Sequence, residues 1–319
     1  MVPAIEVEAL VKTFNRGRKN AVHALQGISF SVWPGEVVGL LGPNGAGKTT
    51  TIKCILGLIS PTGGTTRVYG FDTRTHRREV VRRTSAVLEG SRNIYWRMSA
   101  LENLDFFTGL YGMSLSESRP YSEKLLELFR LRDRKHVPVQ ELSAGMRQKV
   151  AVACALATRT PVVFLDEPTL GLDVETSYEL RRSLKQLAEE ENRTIILSSH
   201  DMHVVQDVCQ RVIIMNQGRI VVDDTVDNLL SLFRTRAYRF VLSDGLREDL
   251  ERQLRARFPE VVVRRDLQTV VEVVVSRPEE IYLLIDLFRE AGLLIESITQ
   301  QEPDLEEAFL RLVRGEVAC

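Results

Sequence analysis

The spacing of apolar residues divides the start of the chain into short strands and one helix. Two alternating segments, near Ile5–Val11 and Ile28–Val32, predict strands of an antiparallel start. The unbroken apolar run within Gly35–Gly42 predicts instead a strand that is covered on both faces, as in a parallel sheet. An amphipathic helix is predicted next, because apolar residues recur at helical spacing: Ile52, Ile55, Leu56 and Ile59.

Further strands of the buried type follow, but a helical stretch separates them. The strands are predicted at Ser85–Leu88, Val162–Leu165 and Thr194–Ser198. Between them helical periodicity replaces the β-branched runs, with segments around Leu101–Tyr111, Ser122–Phe129 and Met146–Ala157. We therefore expect a helical subdomain, residues about 90–160, inserted into an α/β domain that covers residues 1–230.

The pattern restarts in residues 231–319. Strands and helices are predicted in the order β-α-β-β-α-β, at Tyr238–Ser243, Leu246–Phe258, Val261–Arg264, Val270–Val275, Glu279–Ala291 and Leu294–Thr299. This order is typical of a small α+β domain of the ferredoxin-like class. A last amphipathic helix, Leu305–Val313, either covers the small sheet or faces a partner.

Composition and charge narrow the classes of function. The 319 residues are 44% hydrophobic and 27% charged, which is typical of a globular protein and, at this length, of two domains. A formal net charge of -1 argues against a dedicated nucleic-acid surface. The N-terminal segment has no signal-peptide pattern, and no stretch approaches the ~20 apolar residues of a membrane span. We therefore expect a cytosolic chain.

The cysteines point to packing and not to chemistry. The four, Cys54, Cys154, Cys209 and Cys319, have neither the paired spacing of a metal site nor the framework of a small secreted domain. We expect no disulfide and no zinc, with three of them packed as small apolar residues.

The strongest chemical motif lies between the strand in Gly35–Gly42 and the first helix, the context that a phosphate-binding loop requires. Its backbone N–H groups and the helix N-terminus would surround phosphate oxygens. We expect Lys48 to reach the β- and γ-phosphates and Thr49 to offer its hydroxyl to Mg²⁺. A glycine-rich turn without ligand is the alternative. The nucleotide-binding residues predicted here are Gly42, Pro43, Asn44, Gly45, Ala46, Gly47, Lys48, Thr49 and Thr50.

Phosphate chemistry also needs acidic groups, and the strand Val162–Leu165 ends in Asp166 and Glu167. Asp166 is placed to hold Mg²⁺ through water, and Glu167 to activate an attacking water as general base. By itself such a pair is more often an exposed loop than a catalytic site. Its position after a phosphate-binding loop favours catalysis.

A family resemblance rests on three further motifs. Leu142-Ser143-Ala144-Gly145-Met146, followed by an apolar helix and the acidic strand, resembles the signature motif of ATP-binding cassette (ABC) proteins. Gly171-Leu172-Asp173 is similar to the D-loop of that family, and His200 to its switch histidine. The resemblance covers about residues 5–229. It implies a P-loop ATPase fold with an antiparallel β subdomain and a helical subdomain, which binds ATP and Mg²⁺.

The resemblance also implies a head-to-tail dimer, of two copies or with a related ATPase subunit. Each ATP would lie between the P-loop of one subunit and the signature of the other. Ser143 and the N–H group of Gly145 begin a helix and form a second anion site, and Asp173 is assigned to the same nucleotide contacts. Alone, the signature segment would be a helix N-cap, a role compatible with the functional one.

The resemblance implies roles for two aromatic residues. His200 is implied to contact the γ-phosphate and to hold the attacking water with Glu167, whereas an isolated histidine at a strand end is more often structural. Phe14 fits the position of the ring that stacks on adenine, although a phenylalanine there is also ordinary core material. His203 is assigned a structural role.

The sequence departs from the family at two motifs. Glu89 stands where most cassettes have a glutamine that ligates Mg²⁺ and senses the γ-phosphate. We expect Glu89 to keep the metal contact, while its charge near the γ-phosphate slows turnover. In the signature, Ala144 and Met146 replace the usual glycine and glutamine, which leaves Ser143 and Gly145 to carry the γ-phosphate contact.

The loop after Glu89 favours a transporter. Tyr95, Trp96 and Arg97 are residue types that anchor interfaces, and in cassette transporters this region receives a cytoplasmic helix of a separate transmembrane permease. A loop that packs on itself is the alternative. The single cassette with a small C-terminal module resembles exporter ATPases for drugs, antibiotics, lipids or polysaccharides. That module either regulates or dimerises the subunits or is structural.

The alternative function is a soluble regulatory ABC ATPase that acts on nucleic acid or protein. The basic residues Arg74, Arg77, Arg78, Arg82 and Arg83 could contact RNA or lipid headgroups, yet they are more typical of the solvated face of a helix. We expect no nucleic-acid partner. We place the chain in the cytoplasm, peripheral on the inner face of the cell membrane through its permease.

Overall fold

The structure, a computed structural model, describes residues 2–18, 20–89, 93–232, 236–243, 245–259, 261–265, 268–275 and 279–301. These residues form two compact units, and the chain passes from the first to the second between Asp227 and Asn228. No helix in the described part of the chain combines the length and the apolar character that a membrane span requires.

The first unit contains two sheets and several helices. Its strands are β1 (Ile5–Phe14), β2 (Val22–Val32), β3 (Val37–Leu41), β4 (Gly63–Val68), β5 (Phe71–Asp72), β6 (Thr84–Val87), β7 (Val162–Asp166), β8 (Thr194–Ser199), β9 (Arg211–Asn216) and β10 (Arg219–Thr225). Its helices are α1 (Lys48–Ile55), α2 (Arg77–Val81), α3 (Ala100–Leu110), α4 (Leu115–Leu128), α5 (Ala144–Ala157), α6 (Val174–Glu191) and α7 (Met202–Val208), and α8 (Val226–Leu232) crosses the unit boundary.

The larger sheet has the strand order β10-β9-β3-β8-β7-β6, and all of its neighbours are parallel except β10. Every residue of β3, β7 and β8 is buried, which explains the apolar runs at their centres, although β7 ends in Asp166 and β8 carries Thr194, Ser198 and Ser199. Parallel strands present their carboxyl ends at one edge, where ligands bind in open α/β sheets. The loops after β3, β7 and β8 therefore meet at one edge.

The smaller sheet has the order β2-β1-β4-β5 and is antiparallel. One hydrophobic core joins it to α1 and to the larger sheet, with Leu10, Ile52 and Phe164 among its fully buried members. Helix α1 ends at Ile55, and Gly57 follows with a φ of 67°. Ile59 thus lies beyond the helix, contrary to the sequence prediction, because a left-handed glycine turns the chain away.

Three helices, α3 to α5, lie between β6 and β7 and form the expected helical subdomain. Capping boxes start the first two: Glu102 and Ser99 exchange hydrogen bonds at α3, and Glu117 and Ser114 at α4. Helix α4 begins at Leu115, seven residues before the predicted start at Ser122. Pro120 lies inside this helix, so the usual stop signal is misleading here.

The second unit confirms the predicted ferredoxin-like order. Its elements are β11 (Arg236–Leu242), α9 (Glu248–Arg257), β12 (Val262–Arg265), β13 (Thr269–Val275), α10 (Glu280–Glu290) and β14 (Ile295–Gln301). The sheet has the order β12-β13-β11-β14 with antiparallel neighbours. Phe240, Leu254 and Phe288 lie in a core of its own. The predicted helix Leu305–Val313 lies outside the described residues.

The described cysteines are free thiols in apolar surroundings. Cys54, Cys154 and Cys209 are buried. Burial raises the pKa of Cys54 to about 11 and raises the pKa of the other two above their ordinary values. These thiols stay protonated and pack as small apolar side chains.

Candidate functional site

The loop between β3 and α1 has the conformation of a phosphate cradle. Gly45 and Gly47 adopt left-handed backbone angles, with φ of 84° and 108°. A Cβ atom on Gly42 would lie 2.2 Å from the carbonyl oxygen of Met215, so only glycine fits there. The first amide groups of α1 have no partner inside the helix and point into the loop. The segment can therefore bind an anion with its backbone.

Lys48 is buried at the start of α1, with 5% of its surface exposed. Its Nζ donates to the carbonyl oxygen of Gly42 at 2.7 Å and lies 3.3 Å from Oε1 of Glu167. The ammonium thus spans the loop and reaches the acidic strand end. A phosphate in the loop would meet this charge.

Asp166, the last residue of β7, accepts two hydroxyl hydrogen bonds on one oxygen. The Thr49 hydroxyl donates to Oδ1 at 3.0 Å, and Ser198 of β8 donates to the same atom. The other oxygen, Oδ2, is buried without a hydrogen-bond partner among the described residues. A buried carboxylate oxygen with no donor beside it suits a hard cation.

The described residues contain no cluster of three or more His, Cys, Asp or Glu that could by itself hold a metal ion. Asp166 and Thr49 supply only part of a coordination shell. This partial set fits Mg²⁺, which usually keeps waters and substrate phosphates among its ligands.

Glu167 follows in a left-handed conformation, with a φ of 50°. Its N–H group donates to the carbonyl oxygen and to the hydroxyl of Ser198, both at 3.1 Å, and these bonds hold the strained backbone. Oε2 of Glu167 lies 2.9 Å from Nδ1 of His200. The buried carboxylate therefore contacts Lys48 with one oxygen and His200 with the other.

These groups surround one cleft of about 590 Å³. Residues 43–50 form one side of it, and Glu89, Glu167 and His200 line the same space. Phe14 lies at the rim with 39% of its surface exposed, and the Lys12 ammonium is 4.9 Å from its ring centroid. An exposed ring at the mouth of a phosphate cleft is available for stacking on a base.

Sequence reasoning missed several residues of the cleft. Val22, His23, Ala24, Gln26, Leu170 and Gln217 also line it. Most come from β2 and from the turn between β9 and β10, where they occur as ordinary strand and turn residues. Ser198 was missed too, although a serine inside the apolar strand Thr194–Ser199 is an unusual choice that could have drawn attention.

Three residues that were predicted to contact the nucleotide lie outside this cleft. Ser143, Gly145 and Asp173 are not among the described residues that line the cleft. Ser143 caps α5 by accepting from the Met146 N–H group at 3.2 Å, and Asp173 caps α6 by accepting from the Thr176 N–H group at 2.8 Å. Both cap residues are exposed. The hydrogen bond from Thr176 holds the pKa of Asp173 below its ordinary value.

A second cavity, of about 840 Å³, lies in the first unit between α2, β6, α3 and α5. Its lining is mainly apolar and includes Val81, Ala86, Phe107, Leu110, Ala151 and Ala155. Nearby, Tyr95 and Trp96 expose about half of their surfaces, 51% and 50%. The side-chain amide of Asn103 holds this loop by bonding both backbone groups of Tyr95. The rings are thus presented to solvent by a fixed backbone.

Comparison with known proteins supports these observations. The family model described as ABC transporter matches residues 25–170. The chain is similar to the ABC transporter ATP-binding protein NatA of Bacillus subtilis, with 38% identity over 72% of this chain and 93% of that protein. The daunorubicin/doxorubicin resistance ATP-binding protein DrrA of Streptomyces peucetius is 29% identical over 97% of this chain and 92% of its own length.

Two further similarities cover about three quarters of the chain or less. The methionine import ATP-binding protein MetN of Corynebacterium diphtheriae is 32% identical over 76% of this chain and 72% of its own length. Among solved structures, a dimeric post-hydrolysis state of the ATP-binding cassette MJ0796, bound to ADP and Pi, matches with a TM-score of 0.63 and 27% identity. That match covers 70% of this chain and 98% of the other.

Proposed function

This chain belongs to the ABC transporter family as an ATP-binding subunit that hydrolyses ATP, and from that premise we propose that it powers a separate exporter permease. One observation carries the proposal. Lys48, Thr49, Glu167 and His200, which come from the carboxyl-terminal edge of the larger sheet and the start of α1, line one cleft, and Asp166 accepts a hydrogen bond from Thr49 beside them. Ser143 and Asp173 stay outside that cleft, as expected of residues that act on a partner's nucleotide.

Each residue of the cleft has its own role in the proposed reaction. Lys48 and the backbone of residues 42–47 bind the phosphates, and Phe14 stacks on the adenine. Glu167 accepts a proton from the attacking water, and His200 holds that water and the γ-phosphate from the opposite side of the carboxylate. Because Glu167 is buried, its charge acts with little screening by solvent.

Mg²⁺ completes the site. When bound, it neutralises charge on the β- and γ-phosphates. Asp166 offers its free Oδ2, and the Thr49 hydroxyl already faces the same carboxylate. Ser198 keeps the Asp166 side chain in place through the hydrogen bond to Oδ1. Glu89, exposed at the edge of the cleft, is placed to sense the metal and the γ-phosphate.

Two subunits act together in this proposal. The exposed Ser143 and the N-terminus of α5 form an anion-binding surface, and Asp173 is exposed as well; within the described residues, none of them lines the cleft of the chain's own phosphate loop. A head-to-tail dimer of this chain, or a pair with a related ATPase subunit, brings that surface to the second side of a bound ATP. That a solved relative is dimeric supports the association of two such subunits.

The permease is proposed to dock at the second cavity. An apolar cavity of about 840 Å³ with half-exposed aromatic rings beside it suits a short amphipathic helix. This docking would hold the subunit on the cytoplasmic face of the cell membrane. The cavity touches β6, which leads directly to Glu89, so movement at the nucleotide site can reach the permease.

The exporter assignment is supported by the extent of similarity. The relative named for daunorubicin/doxorubicin resistance matches almost the whole chain, including the second unit. We propose a cargo of the drug, antibiotic, lipid or polysaccharide type on this ground.

Capture from native membranes tests the proposal. A tagged Glu167→Gln protein, loaded with ATP, would be recovered from detergent-solubilised membranes and its partners identified. We expect a stoichiometric polytopic membrane protein. Recovery only from the soluble fraction, with ribosomes, nucleic acid or no partner, would instead support the soluble regulatory ATPase.

A further inference from the structure

Polar contacts fasten α6 to the helical subdomain along its length. In the middle of α6, the Ser183 hydroxyl donates to the carbonyl oxygen of Leu128 at 3.0 Å. Near its end, the hydroxyl of Tyr121, a residue of α4, donates to Oε2 of Glu191 at 2.6 Å. These contacts make α6 part of the same packed body as α4 and α5. The first turn of α6 carries Asp173 as its cap.

Glu179 is the polar centre of this contact. One carboxylate oxygen accepts from the ammonium of Lys149 on α5, and the other from the guanidinium of Arg130 just after α4. Lys149 is almost fully buried, with 8% of its side chain exposed, while Arg130 is mostly exposed. The Lys149 hydrogen bond holds the pKa of Glu179 below its ordinary value. Glu179, which is half-buried, is therefore the charged partner of the buried Lys149.

Lys149 and Glu179 lie on the helices that follow the signature motif and the D-loop, respectively. Lys149 follows Ser143 by six residues on α5, and Glu179 follows Asp173 by six residues on α6. Nearer the helix starts, the backbone of Gly145 packs closely against the side chain of Thr176: a Cβ atom on Gly145 would lie 2.5 Å from Cγ2 of Thr176. Thr176 in turn bonds Asp173 through both its N–H group and its hydroxyl. Close packing sets the spacing of the helices, and the ion pair opposes rotation of one against the other.

We infer that Glu179 is a positioning residue, which holds the signature turn at Ser143 and the D-loop at Asp173 in a fixed relation through Lys149. The functional consequence of this role rests on the proposed dimer, because both turns would then contact one partner subunit. A pre-ordered pair of turns lowers the entropy that must be lost when the partner docks. If Glu179 were only the counter-ion of the buried Lys149, it would stabilise the fold as a whole and would not act selectively on the two turns.

The test compares three variants of the full chain. Glu179→Gln removes the charge, Glu189→Gln removes a charge from an exposed position of the same helix, and Lys149→Arg keeps the pair. Without nucleotide, we expect amide exchange at residues 143–147 and 171–176 to speed up about tenfold in Glu179→Gln only. ATP turnover should fall about 100-fold, because small misplacements have large kinetic effects. Binding of ATP to the phosphate loop, measured by calorimetry in a Glu167→Gln background, should stay unchanged.

Two results would overturn the inference: unchanged exchange at both turns, or an equal acceleration over the whole first unit. Should Glu179→Gln fail to fold, Glu179→Asp, which keeps the charge but shortens the side chain, serves for the same comparison. The dimer is judged separately, by ATP-dependent association of the Glu167→Gln parent. If that parent stays monomeric, the proposed dimer is wrong, while exchange within the single chain still decides the role of Glu179.

Discussion

At the scale of single residues, Ser198 supports the acidic pair of the cleft although it belongs to no sequence motif. It lies opposite Asp166 in the register of β7 and β8, and its hydroxyl serves both members of the acidic pair. The sequence identified Asp166 and Glu167 because phosphate chemistry needs acidic groups at a strand end. A serine in a mostly apolar strand could have drawn attention to Ser198, but its role depends on a strand register between segments about 30 residues apart in the chain, which no motif records.

Glu167→Gln tests the general base. The amide keeps the size of the side chain but cannot accept a proton, so we expect ATP turnover to fall by about 10²–10⁴-fold. ATP binding should be retained, because the phosphate loop is unchanged. Steady-state phosphate release and equilibrium binding measure the two effects, with Glu248→Gln, an exposed position of α9, as control. Full turnover in Glu167→Gln would remove Glu167 from the mechanism.

Glu89→Gln tests the departure from the family pattern. The carboxylate adds attraction for Mg²⁺ but repels the γ-phosphate, each by about 1 kcal/mol at a solvated site. We therefore expect the Mg²⁺ concentration for half-maximal turnover to rise several-fold and the maximal rate to increase. Turnover measured over a Mg²⁺ titration decides this, with the exposed Glu141→Gln as control. An unchanged titration would leave Glu89 without a metal-sensing role.

At the scale of elements, apolar periodicity predicted the buried strands β3, β7 and β8, but it did not predict β4, β5, β9, β10 or the long helix α6. The buried strands of the larger sheet are unbroken apolar runs that few other structures produce. Helix α6, with 18 residues, was not predicted. It buries Leu180, Leu184 and Leu187, but the rest of its contact face is made of Glu179, Ser183 and Glu191. Leu180, Leu184 and Leu187 nevertheless recur at helical spacing, so this helix could have been predicted from its apolar positions.

Ser99→Ala tests the start of α3. The Ser99 hydroxyl accepts from the N–H group of Glu102 at 3.3 Å, and the Glu102 carboxylate accepts from the N–H group of Ser99 at 2.7 Å. Losing such a cap lowers the free energy of unfolding by about 1 kcal/mol. Urea denaturation should show this loss. Ser60→Ala, an exposed loop position, should leave the midpoint unchanged, and an equal shift in both variants would contradict the assignment.

At the scale of the whole molecule, the two units have separate cores. The alternation along β13, where Val271, Val273 and Val275 are buried, made the second unit predictable as a sheet with one covered face. Its function was not predictable, because its residues form no group that suggests chemistry. Whether it regulates, dimerises or only stabilises the subunit stays a prediction.

Phe288→Ala tests the independence of the units. Phe288 is fully buried in the second core and packs against Phe240 with ring centroids 5.2 Å apart. Its truncation should destabilise the second unit by about 3–5 kcal/mol. Thermal unfolding should then show an earlier separate transition, with ATP turnover of the first unit kept below it. Tyr282→Ala, an exposed position of the same helix, is the control. Parallel loss of turnover and of the second core would show that the units depend on each other.

The contact between Lys48 and Glu167 has one more consequence. Burying a bare ammonium would cost several kcal/mol, yet this lysine already has its carboxylate neighbour at 3.3 Å before any ligand arrives. In the proposed site, nucleotide binding would therefore be an ion exchange, in which a phosphate replaces the Glu167 carboxylate beside Lys48. A ligand whose last phosphate cannot reach the ammonium has little with which to displace Glu167. The Glu167 carboxylate thus lies beside Lys48 where the last phosphate of the nucleotide is proposed to bind.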